Sequence, residues 1–310
     1  MGQTLNDYLK QLVRFIRDPK QELMGPPDQI GFINRARRET AMRAQCIRRL
    51  TPISGQVILA SVVNTGSGYT LGASVAITGP DFAPNIPPFP LGNQAEALAI
   101  VQNGTIASVD ISEGGFGYFQ PTGSIVADAG SGASVTFSVS PINVLVQGQE
   151  VYRFEDVDVS TFPGVDSVYM VKSVSVIFAN TRYVLPCYAF SVYQAMIRNY
   201  PVGFYNIPAV MSQYGQGEDG SFYVYPPPAQ TLQTEWDCFC LPQDLVTNDS
   251  IEAIPQPWQD PIPYFAAHLA YGELQNFNAS KFYLDLYNDF MTRHGGYARP
   301  GRAVNPYGRY

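Results

Sequence analysis

The chain has 310 residues and a mass of 34.1 kDa, with 45% hydrophobic and 15% charged residues, so it can bury a core and extended disorder is excluded. Its net charge of −7 is segregated along the sequence, with +5 in residues 1–50, −16 in residues 51–292 and +4 in residues 293–310. This pattern argues against a general nucleic-acid-binding protein, which needs Lys and Arg on one continuous face. No apolar run approaches the roughly 18 residues that span a bilayer, so we expect a soluble, unsecreted protein with no membrane partner.

Two helices are predicted in residues 1–50. The first has a helical apolar period, Thr4 can cap its start with Asp7 as an imperfect partner, and Asp18-Pro19 ends it. The residues of this period are Leu5, Tyr8, Leu9, Leu12, Val13 and Ile16. The second is predicted from Pro26-Pro27 to about Leu50. Its apolar stripe is thin, and we expect its arginines to crowd the exposed face: Arg35, Arg37, Arg38, Arg43, Arg48 and Arg49.

Residues 51–140 differ abruptly in composition from their flanks. The segment contains no Lys or Arg, five acids, and many Gly and β-branched residues, which together predict a separate all-β module of about six short strands. We refer to these residues as the β module. The fold class that we expect for them is a small sandwich or barrel.

The β module contains a degenerate internal repeat. Residues 60–79 resemble residues 107–128, with Gly66-Ser67-Gly68-Tyr69 matching Gly115-Phe116-Gly117-Tyr118, and residues 132–139 echo residues 95–101. Between the copies, Asn103-Gly104 is suited to a type I′ hairpin turn. A phosphate-binding loop is a weak alternative interpretation of the Gly-rich turns, because no helix is predicted after either one.

Residues 141–295 are predicted to contain β-hairpins followed by helices. We expect one hairpin around Gln147-Gly148, a longer one over residues 167–190 with its turn at Asn180-Thr181, and a further pair of strands starting at Ser221 and Gln233. Helices are predicted over residues 188–199, after Pro261 and Pro263, and over residues 279–294. Residues 296–310 show no apolar period and are expected to form an extended tail.

No constellation in the sequence indicates catalysis, and we expect neither an enzyme nor a cofactor. His268 and His294 have no nucleophile motif beside them, so structural or surface roles are the simpler interpretation. Cys238 and Cys240 fit buried thiols on one strand better than a metal site, which needs two more ligands. The acidic run at residues 155–158 does not have the spacing of a calcium loop and suggests a loop or strand-edge cluster.

Four short motifs outside the β module carry a resemblance to a known family. They are QIGFINRARRE at residues 29–39, GQEVYRF at 148–154, FYVYPPP at 222–228, and IPYFAAHLAY at 262–271. As a set they resemble the head-to-tail connector adaptor proteins of tailed bacteriophages, particularly the short-tailed type, over about residues 1–50 and 142–310. The departure from the family pattern is the β module, which splits it after the second helix and looks like the Gly-rich repeat modules of phage structural proteins.

The resemblance implies a structural virion protein at the head–tail junction, assembled in the host cytoplasm. It implies an α+β fold, with a helical adaptor core and a hairpin-rich middle, assembled into a ring of roughly twelve copies between portal and tail nozzle or tube. DNA would pass through the ring without specific binding. The role of the β module stays open among decoration, a contact to fibre or portal, and ring reinforcement.

The charge pattern then suggests a docking hypothesis. The C-terminal tail, with Arg299, Arg302, Arg309 and Tyr310, would dock onto the portal, ordering as it binds. The basic second helix, with Arg35, Arg38, Arg43 and Arg49, would face the portal or a neighbouring subunit. The competing hypothesis is a receptor-binding or fibre-type β protein, in which the repeat module carries recognition and a trimer is expected. A virion-associated hydrolase is the least favoured alternative.

Overall fold

The computed structural model describes residues 3–18, 20, 22–70, 72–80, 92–127, 129–178, 181–199 and 207–298. Over these residues the protein is a mixed α+β structure with five α-helices and two separate hydrophobic cores. One core lies within the β module, and the other unites the remaining residues, which we call the body. The helices are α1 (Leu5–Ile16), α2 (Pro26–Ala44), α3 (Phe190–Asn199), α4 (Ile262–Glu273) and α5 (Phe277–Ala298).

Helix α1 begins and ends as its sequence predicts. Thr4 accepts a hydrogen bond from the backbone N–H of Asp7, and the Asp7 carboxylate accepts one from the Thr4 N–H at 3.0 Å, which forms a capping box. The Thr4 N–H and the Thr4 hydroxyl both donate to this carboxylate and lower the pKa of Asp7. Leu5, Tyr8, Leu12 and Ile16 form the buried face, so the apolar stripe predicted from the sequence is confirmed.

Helix α2 is shorter than predicted. It ends at Ala44, because Gln45 takes a left-handed conformation (φ 50°) and the chain then extends into a strand, β1 (Arg48–Leu50). This strand pairs antiparallel with residues 237–239, so Arg48 and Arg49 lie at a sheet edge and not on the helix. The prediction of a helix to about Leu50 was therefore wrong in its last turn and a half.

The body contains two sheets. The strands outside the β module and after β1 are β8 (Val144–Leu145), β9 (Val151–Arg153), β10 (Val165–Phe178), β11 (Thr181–Val184), β12 (Cys187–Tyr188), β13 (Val210–Tyr214), β14 (Ser221–Tyr225) and β15 (Leu232–Pro242). The first sheet has the order β1-β15-β10-β11 with β8 also on β15, and the second has the order β12-β13-β14-β9. Tyr152, Phe222 and Trp236 join the two sheets through ring contacts of 4.8–6.1 Å.

Two predicted hairpins are absent from the body for the same topological reason. The strands around Gln147-Gly148 do not pair with each other, since β8 pairs with β15 and β9 pairs with β14. The strands starting at Ser221 and Gln233 also separate, since β14 pairs with β13 and β9 while β15 pairs with β10. The long hairpin is confirmed in β10 and β11, although Thr181 already belongs to β11 and Asn180 lies outside the described residues.

Four helices form one layer of the body. α2 packs against α1, α4, α5 and β15, and α4 packs against α1 and α5. Hydrogen bonds cross this layer over long sequence distances, from Tyr271 Oη to the Phe15 carbonyl at 3.0 Å and between the hydroxyls of Thr40 and Tyr287 at 3.3 Å. Residues 1–50 and the C-terminal helices are thus brought together. None of the described helices is long and apolar enough to cross a membrane.

The β module contains six strands among its described residues, as its sequence predicts. They are β2 (Val57–Ser67), β3 (Ser74–Ile77), β4 (Glu96–Gln102), β5 (Thr105–Glu113), β6 (Gly123–Val126) and β7 (Ser131–Val139). A four-stranded sheet of order β5-β4-β3-β6 faces the β2-β7 pair, with β6 against β7 and β2 against β5. Asn103 (φ 51°) and Gly104 (φ 74°) form the hairpin turn, as a type I′ turn requires.

The repeat of the β module is visible in its backbone. Gly66 and Gly115 have φ of 60° and 59°, and a Cβ at either position would lie 2.6 Å from a backbone nitrogen, that of Ala133 or Ala95. These same nitrogens donate to the hydroxyls of Tyr69 (3.1 Å) and Tyr118 (2.8 Å). The first strand of each copy pairs with the third strand of the other copy, β2 with β7 and β5 with β4. The two copies therefore complete each other's sheets.

Candidate docking surfaces

The predicted portal-docking residues lie outside the described part of the chain. They are Arg299, Arg302, Arg309 and Tyr310. Helix α5 continues through Ala298 and so includes the first three residues, 296–298, of the predicted extended tail. The segment that carries these arginines therefore follows directly from the helical layer of the body.

The predicted basic helix carries fewer free charges than its sequence indicates. Arg38 donates to both carboxylate oxygens of Asp244 at 2.6 Å. Arg43 donates to Glu39 and, at 3.0 Å, to Asn288, and its guanidinium lies 5.5 Å from the centroid of the Tyr287 ring. Two of the four predicted interface arginines are thus already engaged within the chain.

The other two predicted arginines have no ion pair among the described residues. Arg35 is exposed on α2. Arg49 is half-buried on the edge strand β1, and its guanidinium donates to the Arg48 carbonyl at 3.3 Å. Neighbouring Arg48 is bound by the buried carboxylate of Asp237, and this hydrogen bond raises the pKa of Arg48.

Arg37 is fully buried, which corrects the expectation that it lies on the exposed face of α2. Its guanidinium donates to both carboxylate oxygens of Glu252 at 2.8 and 2.9 Å and to the Gln243 carbonyl at 2.7 Å. Tyr8 donates to the same carboxylate at 3.0 Å, and burial followed by the charge of Glu252 raises the pKa of this tyrosine. The sequence does hold a signal for this, since Arg37 lies four residues after Ile33 on the buried stripe.

A row of cations lies along the exposed face of α1 and its C-cap, where no docking residue was predicted. One carboxylate acts on this row, since the charge of Lys10 helps to lower the pKa of Asp7, one turn before it. Lys10, Arg14 and Arg17 are spaced by four and three residues, are all exposed, and form no ion pair within the described ranges. We call these three residues the α1 basic stripe. Their helix is anchored by its opposite face, so the charges are presented from a rigid element.

A compact group of carboxylates lies at the end of β9 and β14. Glu155 and Asp156 follow β9, and Glu218 and Asp219 belong to a 3₁₀ turn (Gly217–Asp219) before β14. The Phe154 N–H donates to the Gly220 carbonyl at 2.9 Å and brings the two segments together. All four acids are exposed, and we call them the acidic corner.

One cation accompanies the acidic corner. Arg153 donates to Glu155 at 2.7 Å, and this hydrogen bond, followed by the charges of Glu155, Asp156 and Asp219, raises the pKa of Arg153. Four carboxylates against one guanidinium leave three negative charges in excess.

The residues considered for chemistry hold no evident reaction centre. Ser280 Oγ lies 2.8 Å from His268 Nδ1, a contact that the sequence did not predict, but it also lies 3.0 Å from the His268 carbonyl and is buried between α4 and α5. Cys238 and Cys240 are buried, as expected, and burial raises the pKa of Cys240 to about 12. Among the described residues, no three His, Cys, Asp or Glu side chains are grouped so that they could hold a metal ion.

An open cleft lies where the β module joins the body. It has a volume of about 370 Å³, and its lining includes Leu50, Pro52, Phe116, Ser140 and Phe162. These residues come from both parts of the molecule, and the cleft contains no titratable side chain. The cleft is therefore a junction between two packed units, lined by uncharged side chains.

The outer face of the β module carries an apolar patch. In the register of the sheet, Leu98 of β4 lies opposite Ser74 of β3, which in turn lies opposite Val126 of β6. Leu98 and Val126 are 61% and 51% exposed, and Ile100 follows on the same face of β4. Ser74 lies between Leu98 and Val126, so the patch is small and interrupted.

No protein-family model matches the chain, and no curated protein matches its sequence.

Proposed function

We propose that this chain is a structural protein of a tailed-bacteriophage virion, a head-to-tail adaptor that forms a ring between portal and tail. The ring of roughly twelve copies would conduct DNA and provide a docking platform. The β module would provide a further contact surface, and a tail fibre is the candidate partner for it. The protein acts in this proposal by assembly and not by catalysis.

The observation that carries the proposal is the single helical layer formed by the two ends of the sequence. Residues 1–50 and the C-terminal helices are separated by about two hundred residues, yet α1 and α2 pack against α4 and α5. The N-terminal helices and α5, which carries Arg293, therefore belong to one side of the body, and the arginines at 299, 302 and 309 follow α5 in the sequence. A positively charged docking end on an otherwise acidic subunit is consistent with a protein that binds a partner there and lets DNA pass.

The charge of the remaining chain supports the conduit. Residues 51–292 carry a net charge of −16, so phosphates that move past this surface are repelled rather than retained. The internal ion pairs of Arg37, Arg38, Arg43 and Arg48 neutralise as many carboxylates as cations, so the net negative charge of the chain is unchanged by them. Adhesion of DNA to the inner wall of the proposed ring would slow its passage, and the net negative charge of residues 51–292 opposes such adhesion.

Truncation of the tail tests the proposed docking. We expect that deleting residues 299–310, which leaves α5 intact through Ala298, abolishes assembly of the chain on rings of the portal protein from the same virus. A matched variant with Arg299, Arg302 and Arg309 changed to Gln keeps the chain length and separates charge from contact area. Both variants should weaken binding, measured by sedimentation and electron microscopy of the complex. Undiminished assembly of the truncated chain would contradict the docking role.

Stoichiometry tests the adaptor role against the fibre alternative. Mass measurement of the complex on the portal should give about twelve copies per ring. Three copies, together with glycan or cell-surface binding that is lost when the β module is altered, would favour a fibre-type protein instead. Imaging of the virion then locates the chain at the head–tail junction or away from it.

A further inference from the structure

We propose that copies of this chain join head to tail, with the α1 basic stripe of one copy docked on the acidic corner of the next. This inference deepens the proposed ring and rests on it, because it names the two surfaces that connect neighbouring subunits. The partner is thus a second copy of the chain.

The two surfaces match in charge. The α1 basic stripe holds three exposed cations, and the described part of the chain offers none of them an ion pair. The acidic corner holds four exposed carboxylates, of which Arg153 compensates one. With Asp7 counted against Lys10, two excess positive charges on one surface face three excess negative charges on the other.

The other cations of the N-terminal segment show why the stripe is distinctive. Arg37, Arg38, Arg43 and Arg48 each bind a carboxylate of the same chain. Arg35 and Arg49 also have no ion pair among the described residues, but they lie on separate elements, α2 and β1. The stripe differs because its cations follow one another along a single helix face. A packed helix is favourable for an intermolecular contact, because its backbone loses little conformational freedom on binding.

The position of the two surfaces makes the contact heterologous. α1 packs against α2 and α4, whereas the acidic corner lies on β9, β14 and the 3₁₀ turn beside β10. A surface that binds a different surface on the next copy generates a ring when the rotation closes. A two-fold dimer would make this contact twice through one continuous patch, whereas the stripe lies in the helical layer and the acidic corner lies on the second sheet.

Duplex DNA is the other anionic partner that a row of cations could bind. The stripe has only three charges, and residues 51–292 add −16 to the same chain, so a long polyanion would meet repulsion outside the stripe. A small acidic surface on a protein does not meet that repulsion. The charges on both proposed surfaces are exposed, so each pair contributes little alone, and the contact depends on several pairs and on ionic strength.

The test is a charge swap in the full chain. One variant carries Arg14→Glu with Arg17→Glu, a second carries Asp156→Lys with Asp219→Lys, and a third carries all four changes. Controls reverse the same number of exposed charges elsewhere, at Lys20 with Lys281 and at Asp110 with Glu113. Association is measured by sedimentation at about 50 mM and about 500 mM salt, alone and on portal rings, because screening grows with ionic strength.

We expect wild-type association to weaken at high salt and each double variant to associate at least about tenfold more weakly at low salt. The fourfold variant should regain association, and so should an equimolar mixture of the two double variants, in which both pairs of surfaces attract. Since the mixture needs both variants folded, it separates a lost contact from a lost fold. The control variants should behave as wild type.

The inference is overturned if the Arg14/Arg17 variant associates as the wild type does, or if neither the fourfold variant nor the mixture recovers association. It is also overturned if the wild-type chain is monomeric both alone and on the portal. A fourth contrary result is that the Arg14/Arg17 variant loses binding to duplex DNA while its self-association is unaffected. The proposed adaptor role fails separately. If the chain is absent from the head–tail junction but its association still follows the charge swap, the head-to-tail contact stands and the adaptor role does not.

Discussion

The body contains a buried Arg37–Glu252 ion pair and helices joined by hydrogen bonds between residues more than two hundred positions apart, whereas the β module has no Lys or Arg among its 90 residues. In the β module, close backbone contacts at glycines and hydrogen bonds from backbone nitrogens to tyrosine hydroxyls take the place of ionic contacts. The folded state of the body thus depends on charged side chains, and that of the β module depends on backbone conformation. Substitutions can test each dependence separately, because both tryptophans, Trp236 and Trp258, lie in the body and report its unfolding.

The largest effect is expected from the buried ion pair of the body. Arg37→Met leaves the Glu252 carboxylate buried without its partner and should lower the free energy of unfolding by about 3–5 kcal/mol. Arg38→Met breaks the half-exposed pair with Asp244 and should cost at most about 1 kcal/mol. Denaturant titration followed by tryptophan fluorescence measures both. Equal losses in the two variants would show that burial of the pair does not determine its contribution.

The next effect is expected in the β module. Gly115→Ala would place a Cβ 2.5 Å from the Asn93 carbonyl oxygen and 2.6 Å from the Ala95 nitrogen, at a φ of 59°. The clash and the left-handed backbone together should cost more than about 2 kcal/mol. Gly132→Ala is the control, since φ is 83° but the nearest atom lies 3.8 Å away, so that only the backbone conformation is penalised. Hydrogen exchange of β-module peptides should show faster opening in the first variant than in the second, with the tryptophan signal less affected.

Alkaline pH should destabilise the body through its buried tyrosines. Burial raises the pKa of Tyr152 and Tyr287 from 10.0 to about 12. Because the folded state binds these protons more tightly, the stabilisation is complete below pH 10 and is lost as the pH rises towards 12, by an order of 1–2 kcal/mol for each tyrosine. Thermal melts followed by tryptophan fluorescence at pH 8 to 12 test this. A midpoint that stays constant above pH 10 would contradict it.

The smallest effect should be stabilising. Gly31 lies within α2, and a Cβ there would meet no atom within 4 Å. Gly31→Ala should therefore raise the free energy of unfolding of the body by about 0.5–1 kcal/mol, because alanine loses less backbone entropy in a helix. The same denaturant titration detects the change. A loss of stability would indicate that α2 needs a bare backbone at this position.

The sequence predicted those elements that depend on local patterns. The α1 capping box, the Asn103-Gly104 turn and the repeat of the β module each follow from a few neighbouring residues, and the structure confirms all three. The pairing of β8 with β15 and of β9 with β14 was missed, because a strand that follows a turn does not reveal which sheet it will join. Hairpins were predicted because the strands on either side of each turn are close in sequence. The observed strand order instead buries Tyr152, Phe222 and Trp236 between two sheets.

The candidate site was less predictable for an electrostatic reason. A run of arginines such as that in residues 35–49 indicates positive charge, but its free charge depends on partners such as Asp244 and Glu252, more than two hundred residues away. The sequence shows the spacing of four and three residues in the α1 basic stripe, but only the structure shows that Arg14 and Arg17 have no ion pair within the described chain. Only tertiary structure separates a paired cation from a free one.

The point where the chain enters the β module lies beside the point where it returns to the body. The Ser140 N–H donates to the Gln56 carbonyl at 2.8 Å, and β1 and β8 flank the insertion on the same edge of β15. The ends of this insertion of some ninety residues are therefore as close together as the ends of a short loop. The entropic cost of joining β1 to β8 is then that of closing a turn, and not that of closing a flexible loop of ninety residues. The β module can consequently be exchanged, enlarged or removed at this neck while the strand order of the body remains the same.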